Sequence, residues 1–178
     1  NWAGGLLGAP FDRLLDVYRQ QLFWFELEPG AQLEGTSPTY ILTHGQDDTH
    51  YGFPALPGEG SLKIATAQYH TVSTPETLDR TVSAAQVREM YEQQVQGRIN
   101  GVTGKVVKAA VCAYTVTPDH HFIIDEHPTL QHTLVVSPCS GHGFKHSAAL
   151  GEAFAQWCMR GASELDLSSF SLKRFNQS

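Results

Sequence analysis

The segment 133–160 constrains the fold most, because it reads as a strand, a glycine-rich turn and a helix in immediate succession. Branched residues at Thr133–Ser137 predict the strand, and the two glycines of Ser140–Lys145 predict the turn. The helix is predicted over Lys145–Arg160, ends at Gly161, and buries a face formed by Ala149, Ala153, Phe154 and Trp157. The turn is not a dinucleotide fingerprint, because His146 occupies the position of the third glycine. It is either an ordinary connection or a place where helix N–H groups meet an anionic ligand.

The rest of the chain indicates mainly strands, so we expect a mixed α/β (α+β) fold. Strands are predicted at Val17–Glu28, Tyr40–Thr43, His50–Phe53, Ser61–Ala65, Lys105–Val116 and His121–Asp125. The aromatic centre of the first strand is typical of a strand with both faces covered. One helix begins at Ser83, with Gln86 as its capping-box partner, and ends at Gly97. Its apolar stripe is predicted to pack in the core and consists of Val87, Met90, Tyr91 and Val95.

Charge and composition exclude two classes of protein. Of the 178 residues, 12 are Lys or Arg and 18 are Asp or Glu, and the net charge of −6 repels phosphate backbones. No apolar run reaches the roughly 18–20 residues of a membrane-spanning helix. We therefore expect neither a nucleic-acid nor a membrane partner. Reduced thiols and a cytoplasmic location are indicated by three widely spaced cysteines, Cys112, Cys139 and Cys158.

Two groups of residues have the chemistry for a site. Strand alternation places Cys112 and Tyr114 side by side on one face, together with Val106, Lys108 and Ala110. This pair is either a buried thiol beside a core tyrosine or part of a reactive site. Helix-like spacing also offers three zinc ligands without an evident fourth, namely Cys139, His142 and His146.

Several longer motifs point to one protein family. The run Val111–Asp119, VCAYTVTPD, followed by FIID at Phe122–Asp125, resembles the covalent-flavin segment of the monomeric sarcosine oxidase and N-methyltryptophan oxidase family. The turn SGHGFK, at Ser140–Lys145, resembles that family's second hallmark and follows at the expected distance. Other similar segments are Tyr51–Pro54, Leu62–Ile64 and Phe170–Phe175. The resemblance spans nearly the whole chain, with its motifs in the correct order.

The resemblance implies a D-amino-acid-oxidase-like fold of the GR2 type. Residues 1–16 would leave the FAD-binding domain, 17–104 would form an antiparallel β-rich substrate domain with helix 83–97, and 105–178 would complete the FAD-binding domain with the strand–turn–helix. The family's N-terminal Gly-x-Gly-x-x-Gly is missing from this sequence, so the chain looks like a C-terminal half whose partner is the N-terminal FAD domain. We expect this half alone to bind FAD weakly, to be inactive, and to self-associate through an uncovered helix face at Phe154 and Trp157.

The activity implied by the resemblance is the oxidation of a secondary amine, typically an N-methyl amino acid such as sarcosine, with FAD and O2. The products would be an imine or aldehyde and hydrogen peroxide. Cys112 would carry FAD covalently, while Tyr51 and Tyr114 would border the substrate cavity. Lys63 would activate O2, and Lys145 would bind the substrate carboxylate. The flavin edge would contact the turn residues Gly141, His142, Gly143, Phe144 and Lys145.

The resemblance leaves two points open. The family's histidine four residues after the O2-activating lysine falls on Ala67, and His70 could replace it only through an insertion. Two other functions are compatible with the sequence: a related flavin enzyme for a cyclic imino acid or a modified tRNA uridine, and a non-catalytic β-rich binding fragment. No metal is expected in any of these cases.

Overall fold

Eight strands and four α-helices form the framework of the computed structural model, which describes residues 1–31, 33, 37–46 and 48–177. The strands are β1 (Asp16–Leu27), β2 (Tyr40–Gly45), β3 (Asp48–Phe53), β4 (Ser61–Thr66), β5 (Val72–Ser73), β6 (Val102–Val116), β7 (Ile123–Glu126) and β8 (Leu134–Ser137). The helices are α1 (Ala3–Leu7), α2 (Phe11–Leu14), α3 (Ala84–Met90) and α4 (Ser147–Arg160). The predicted mixed α/β class with antiparallel strands is confirmed.

The chain divides into two compact units. Unit 1 comprises residues 1–17 and 114–178, and unit 2 comprises residues 18–113. Every predicted strand is present with small shifts at its ends, whereas the sequence pattern does not predict α1, α2 or β5. In the described ranges, no helix has the length and the apolar character that crossing a membrane requires.

Unit 2 is built on a six-stranded sheet in the order β2-β3-β4-β1-β5, with β6 pairing to β1. Between β1 and β4, the antiparallel register pairs Phe23 with Ile64 and Phe25 with Leu62. These four side chains are at most 1% exposed, and they form one core together with Met90, Val95 and Val102. One face of the sheet is therefore covered.

Helix α3 covers that face, and it begins as the sequence predicts. The Ser83 hydroxyl accepts a hydrogen bond from the Gln86 N–H at 3.2 Å, and the Gln86 side chain accepts one from the Ser83 N–H at 2.9 Å. This is a complete capping box. The helix continues as a π-helical turn at Tyr91–Val95. The predicted apolar stripe is confirmed as core, because all four of its residues belong to the core cluster or pack against it.

Strand β1 departs from the prediction that both of its faces are covered. Phe23 and Phe25 are fully buried, but Trp24 between them is partly exposed. Since successive side chains of a strand alternate, Trp24 projects away from the core onto the opposite face of the sheet. The sequence does not reveal this alternation, because the three consecutive aromatic residues are all apolar.

Unit 1 has the antiparallel pair β7–β8 at its centre, covered on both sides. Ile124 of β7 packs in a cluster with Leu150 and Ala153 of α4. The adjacent Ile123 packs instead with Phe11 of α2 and the residues around it. Alternation along a single short strand thus gives unit 1 two separate apolar clusters.

The buried face of α4 differs from the predicted face at one position. Leu150 is buried, whereas Ala149 is exposed, so the prediction for Ala149 is wrong. Phe154 and Trp157 pack against the apolar cluster of α4 and β7. The expectation that this face lacks a partner within the chain is therefore wrong. The helix ends as predicted at Gly161, which has a left-handed φ of 77°.

An ion pair fastens the C-terminal segment of unit 1. Arg174 donates to the two carboxylate oxygens of Asp119 at 2.6 and 3.2 Å, and to the Phe122 carbonyl at 2.8 Å. The guanidinium holds the pKa of Asp119 well below its usual range. The predicted motif at Phe170–Phe175 thus has a structural role within unit 1.

Candidate functional site

The face of the unit 2 sheet opposite the core carries a row of aromatic and cationic side chains. The register places Lys63 of β4 between Trp24 of β1 and Phe53 of β3. Residues paired directly across neighbouring strands project to the same side, so these three side chains lie together. We call this surface, which also includes Lys108 of β6, the open face.

Both lysines of the open face lie over aromatic rings. The Lys63 Nζ is 4.9 Å from the centre of the Phe53 ring and 5.3 Å from that of the Trp24 ring. The Lys108 Nζ is 4.5 Å from the centre of the same Trp24 ring. Aromatic faces attract cations at these distances. The Lys63 side chain makes no ion pair or hydrogen bond to any residue in the described part of the chain.

Strand β6 contributes side chains to both sides of the sheet. Val106 packs against the core, yet Lys108 two residues later reaches Trp24 on the other side of the sheet. The predicted alternation that places Val106 and Lys108 on one face is therefore wrong. Ala110 and Cys112 follow Lys108 on the same strand. Cys112 is partly buried.

Tyr51 also belongs to the open face. It lies two residues before Phe53 in β3, and the two rings meet edge to face with centres 6.4 Å apart. Two residues that the sequence singles out thus share one face of one sheet, namely Tyr51 and Lys63. The sequence reasoning misses Trp24, Phe53 and the role of Lys108, because only the pairing of the strands brings them to Lys63.

His70 is not part of the open face. It follows β4 and lines a cavity of about 150 Å³ together with Phe23 and Met90, which belong to the helix-covered side of the sheet. Ala67 is exposed and brings no functional group. The described structure therefore gives no support for His70 as a replacement of the family's histidine beside Lys63.

The glycine turn of unit 1, residues 138–146, is the second candidate region, and carbonyls from earlier in the chain hold it. Ser140 donates its N–H to the Thr115 carbonyl at 2.8 Å and its hydroxyl to the His121 carbonyl at 3.1 Å. His142 donates from Nε2 to the His120 carbonyl at 2.9 Å. The doublet His120-His121, which has no role in the sequence reasoning, thus supplies acceptors that fix the turn.

Gly143 is required by a steric contact within this turn. A Cβ at this position would lie 1.5 Å from the Pro138 carbonyl oxygen, so no side chain fits. A 3₁₀ turn at Phe144–His146 follows and leads directly into α4, with no side-chain cap at either start. The first N–H groups of a helix have no partner inside it, and they give its N-terminus a positive potential.

Lys145 and Phe144 project outward from the glycine turn. Phe144 is 93% exposed. The Lys145 ammonium donates one hydrogen bond, at 3.0 Å, to the His142 carbonyl, which leaves two of its three N–H donors for other acceptors. The turn residues predicted to meet the flavin edge therefore lie together at one helix N-terminus. Tyr114 belongs to unit 1 and lies on β6, two residues beyond Cys112.

The three residues with zinc-like spacing do not form a metal site. The Cys139 thiol accepts a hydrogen bond from the Thr115 N–H at 3.4 Å, and His142 is held by a backbone carbonyl. Across the described ranges, no group of three or more His, Cys, Asp or Glu side chains is placed to hold a metal ion.

Three groups of the β2–β3 hairpin have clear pKa shifts, and two of them, Asp48 and His50, contact the helix region. Asp48 accepts hydrogen bonds from Arg98 at 2.8 and 3.1 Å, which lowers the pKa of Asp48 to about 2. Burial raises the pKa of Tyr40 to about 12 and lowers the pKa of His50. His50 contacts Gln94 at 3.0 Å.

Known proteins resemble this chain over most of its length. Residues 1–157 match the FAD dependent oxidoreductase family. The chain is 36% identical over 165 residues to the monomeric sarcosine oxidase of Bacillus sp. (strain NS-129). This alignment covers 90% of the chain and 41% of that protein. It is 31% identical over 160 residues to the N-methyl-L-tryptophan oxidase of Salmonella dublin, in an alignment that covers 89% of this chain and 42% of that protein.

A solved structure shares the fold. NikD, an unusual amino acid oxidase essential for nikkomycin biosynthesis, aligns with a TM-score of 0.67 at 15% identity, over 89% of this chain and 42% of that chain. The chain thus spans about two fifths of the length of the relatives it matches. The resemblance seen in the sequence motifs is confirmed, and the chain belongs to the FAD dependent oxidoreductase family.

Proposed function

We propose that the protein oxidises a secondary amine, an N-methyl amino acid such as sarcosine or N-methyltryptophan, at the expense of O2. When bound, FAD supplies the two-electron acceptor, which takes a hydride from the amine carbon and passes both electrons to O2 to give hydrogen peroxide. Loss of the hydride and of the N–H proton leaves an imine, and water hydrolyses the imine to an aldehyde and a primary amine. Similarity to sarcosine and N-methyltryptophan oxidases supports this choice of substrate class.

The open face is the observation that carries the proposal. A flavin that passes electrons to O2 needs positive charge where those electrons accumulate. The ammonium groups of Lys63 and Lys108 offer this charge, and both lie over aromatic rings of the sheet. The open face therefore has the charge that the chemistry of FAD requires.

Cys112 is the proposed point of covalent attachment. Cys112 is partly buried on β6, the strand that also carries Lys108, and it lies in the segment that resembles the covalent-flavin segment of the family. Attachment would join the sulfur to the 8α carbon of the flavin. The thiol hydrogen and one methyl hydrogen would be lost, and the two electrons would pass to O2.

A denaturation experiment tests this attachment. In the full-length protein, acid precipitation should leave the flavin on wild-type protein and release it from Cys112→Ser. Cys158→Ser is the matched control, because Cys158 is exposed on α4, and it should retain the flavin. Release of flavin from the wild type would show that the anchor is wrong.

The two lysines are proposed to have separate roles. Lys63 would stabilise the negative charge that develops on O2, since no described residue neutralises it. Lys145 would bind the substrate carboxylate with its two remaining donors, while the N–H groups of the glycine turn meet the flavin edge. Tyr51 and Tyr114 are proposed to border the substrate.

Substrate profiling tests the activity itself. Peroxide release by the full-length protein should be fastest with N-methyl amino acids such as sarcosine and slow with pipecolate. A preference for pipecolate would instead indicate a related flavin enzyme that oxidises cyclic imino acids. We propose a cytoplasmic location, because the three cysteines are widely spaced and odd in number, unlike those of a secreted disulfide scaffold. The 178-residue chain alone should bind FAD weakly, since the glycine motif that binds the pyrophosphate is not in it.

A further inference from the structure

We propose that Trp24 and Phe53 are positioning residues, which hold the Lys63 ammonium on the open face as an unneutralised cation available to dioxygen. The inference rests on the proposed oxidase function and adds two residues to it. Both rings are paired with Lys63 in the sheet register, one from each neighbouring strand. The ammonium lies 4.9 Å from one ring centre and 5.3 Å from the other.

A second lysine of the same sheet shows what the aromatic partners achieve. The Lys105 ammonium lies 2.6 Å from a Glu26 carboxylate oxygen, and Glu26 shares the face of Trp24 because it is two residues further along β1. That carboxylate offsets part of the charge of Lys105. Aromatic faces attract a cation through their quadrupole and carry no net charge. Lys63 is therefore held in place while its full positive charge remains for an incoming electron acceptor.

Trp24 is the more important of the two rings. Its backbone lies between Phe23 and Phe25, which are both 0% exposed and fix the strand against the core. The same indole also attracts Lys108, whose Nζ lies 4.5 Å from the ring centre. Loss of this ring would release two cations, whereas loss of Phe53, which is 42% exposed, would release one.

Rapid kinetics of the two half-reactions test the inference in the full-length, flavin-loaded protein. Trp24→Leu should slow the reaction of the substrate-reduced protein with O2 by roughly five- to tenfold, and Phe53→Leu by roughly two- to threefold. The anaerobic reduction by sarcosine should stay within about twofold of wild type in both variants. Trp24→Phe keeps an aromatic face and should restore most of the O2 rate. Glu26→Gln is the control, because it breaks an ion pair of the same face without touching Lys63.

A spectroscopic measurement follows the Lys63 ammonium independently of turnover. Reductive ¹³C-methylation keeps the charge of a lysine, and the N-methyl protons of Lys63 should resonate upfield, because they lie over two ring faces. Lys63→Arg identifies the signal. The upfield shift should largely disappear in Trp24→Leu and persist in Glu26→Gln. A Lys63 signal at the position of an exposed lysine in the wild type would overturn the inference.

Comparison with Lys63→Met separates failure of the inference from failure of the proposed function. If Lys63→Met slows the O2 reaction and Trp24→Leu does not, the lysine acts without its rings, and the positioning role is wrong while the oxidase proposal stands. If Lys63→Met itself leaves the O2 reaction unchanged, the role of Lys63 is wrong and the inference falls with it. Amine oxidation would still be judged by peroxide release.

Discussion

The open face of unit 2 and the glycine turn of unit 1 each present a lysine, but they hold it by different means. Lys63 lies between two aromatic rings that project from neighbouring strands. Lys145 donates to the His142 carbonyl, three residues before it in the same turn. The first arrangement depends on the register of a sheet, and the second depends on the local path of the backbone.

This difference predicts where each region tolerates change. Side chains on the open face stand on strands whose other side is fixed by a buried core, so replacing one of them leaves the backbone in place. The glycine turn is held in a different way. Its path is set by hydrogen bonds to carbonyl groups from earlier in the chain and by the close approach of Gly143 to Pro138. We therefore expect substitutions to alter function on the open face and folding in the turn.

The largest expected effect is that of Gly143→Ala. The new Cβ would lie 1.5 Å from the Pro138 carbonyl oxygen, and neither backbone can move without breaking the turn. The free energy of unfolding should fall by at least about 3 kcal/mol, measured by urea denaturation. Gly151→Ala is the control, since its Cβ meets nothing within 4 Å on α4, and it should raise stability by about 0.5–1 kcal/mol. Equal stability of the two variants would contradict a turn fixed by backbone contact.

The next effect compares the two lysines directly. Lys63→Met should slow the reaction of the reduced protein with O2 by about a hundredfold and leave reduction by substrate nearly unchanged. Lys145→Met should instead raise KM for sarcosine by about tenfold, because it removes a carboxylate contact made in both the ground and transition states. Stopped-flow measurement of each half-reaction checks both. An O2 defect in Lys145→Met, or a KM defect in Lys63→Met, would show that the roles are exchanged.

The sequence predicts the elements that support both regions, because their signals are local. The capping box at Ser83 and Gln86, the apolar stripe of the helix, and the stop at Gly161 each depend on residues within a few positions of one another. The placement of Tyr51 and Lys63 on one face follows from strands whose existence the sequence also predicts. Their roles in catalysis stay predictions.

The features that the sequence does not predict depend on distant partners. Trp24 and Lys63 are 39 positions apart in the chain (63 − 24), and only the β1–β4 register pairs them. The need for glycine at position 143 arises from a carbonyl oxygen of Pro138, which approaches only once the turn has formed. The contact between Lys108 and Trp24 likewise depends on the pairing of β6 with β1, which brings together residues that are far apart in the chain.

The third prediction concerns the ion pair between Asp119 and Arg174, which lies beside the residues that hold the glycine turn. Asp119 adjoins the two histidines whose carbonyls hold that turn, and Arg174 keeps the pKa of Asp119 below its ordinary value of 3.8. A carboxyl group with a lowered pKa stabilises the fold above its unfolded pKa, and this stability is lost as the pH falls through the folded pKa. Stability should therefore decline as the pH falls below about 4.

Arg174→Gln tests this pH dependence. At pH 7 it should lower the free energy of unfolding by about 1–2 kcal/mol, a value reduced for partial exposure of the pair. The free energy of unfolding is measured by urea denaturation at pH 7, 4 and 3. The difference between the variant and wild type should become smaller as the pH falls, and only the contribution of the Arg174 hydrogen bonds to carbonyl groups should remain. Arg160→Gln, which breaks an exposed pair with Glu164 at 3.3 Å, should change stability by less than about 0.5 kcal/mol. If the difference in unfolding free energy between Arg174→Gln and wild type does not depend on pH, the ion pair with Asp119 does not account for it.

The smallest expected effect compares the two helix starts. Ser83 caps α3 through its hydroxyl, so Ser83→Ala should cost about 1 kcal/mol of unfolding free energy. Ser147 begins α4, where neither the helix nor the preceding 3₁₀ turn has a side-chain cap, and Ser147→Ala should change stability by no more than about 0.3 kcal/mol. An uncapped start leaves the N–H groups of the glycine turn for a ligand, as the proposed flavin contact requires. If Ser147→Ala lowers the free energy of unfolding as much as Ser83→Ala does, the Ser147 hydroxyl already accepts hydrogen bonds from those N–H groups. The turn would then have no N–H groups left to bind a flavin.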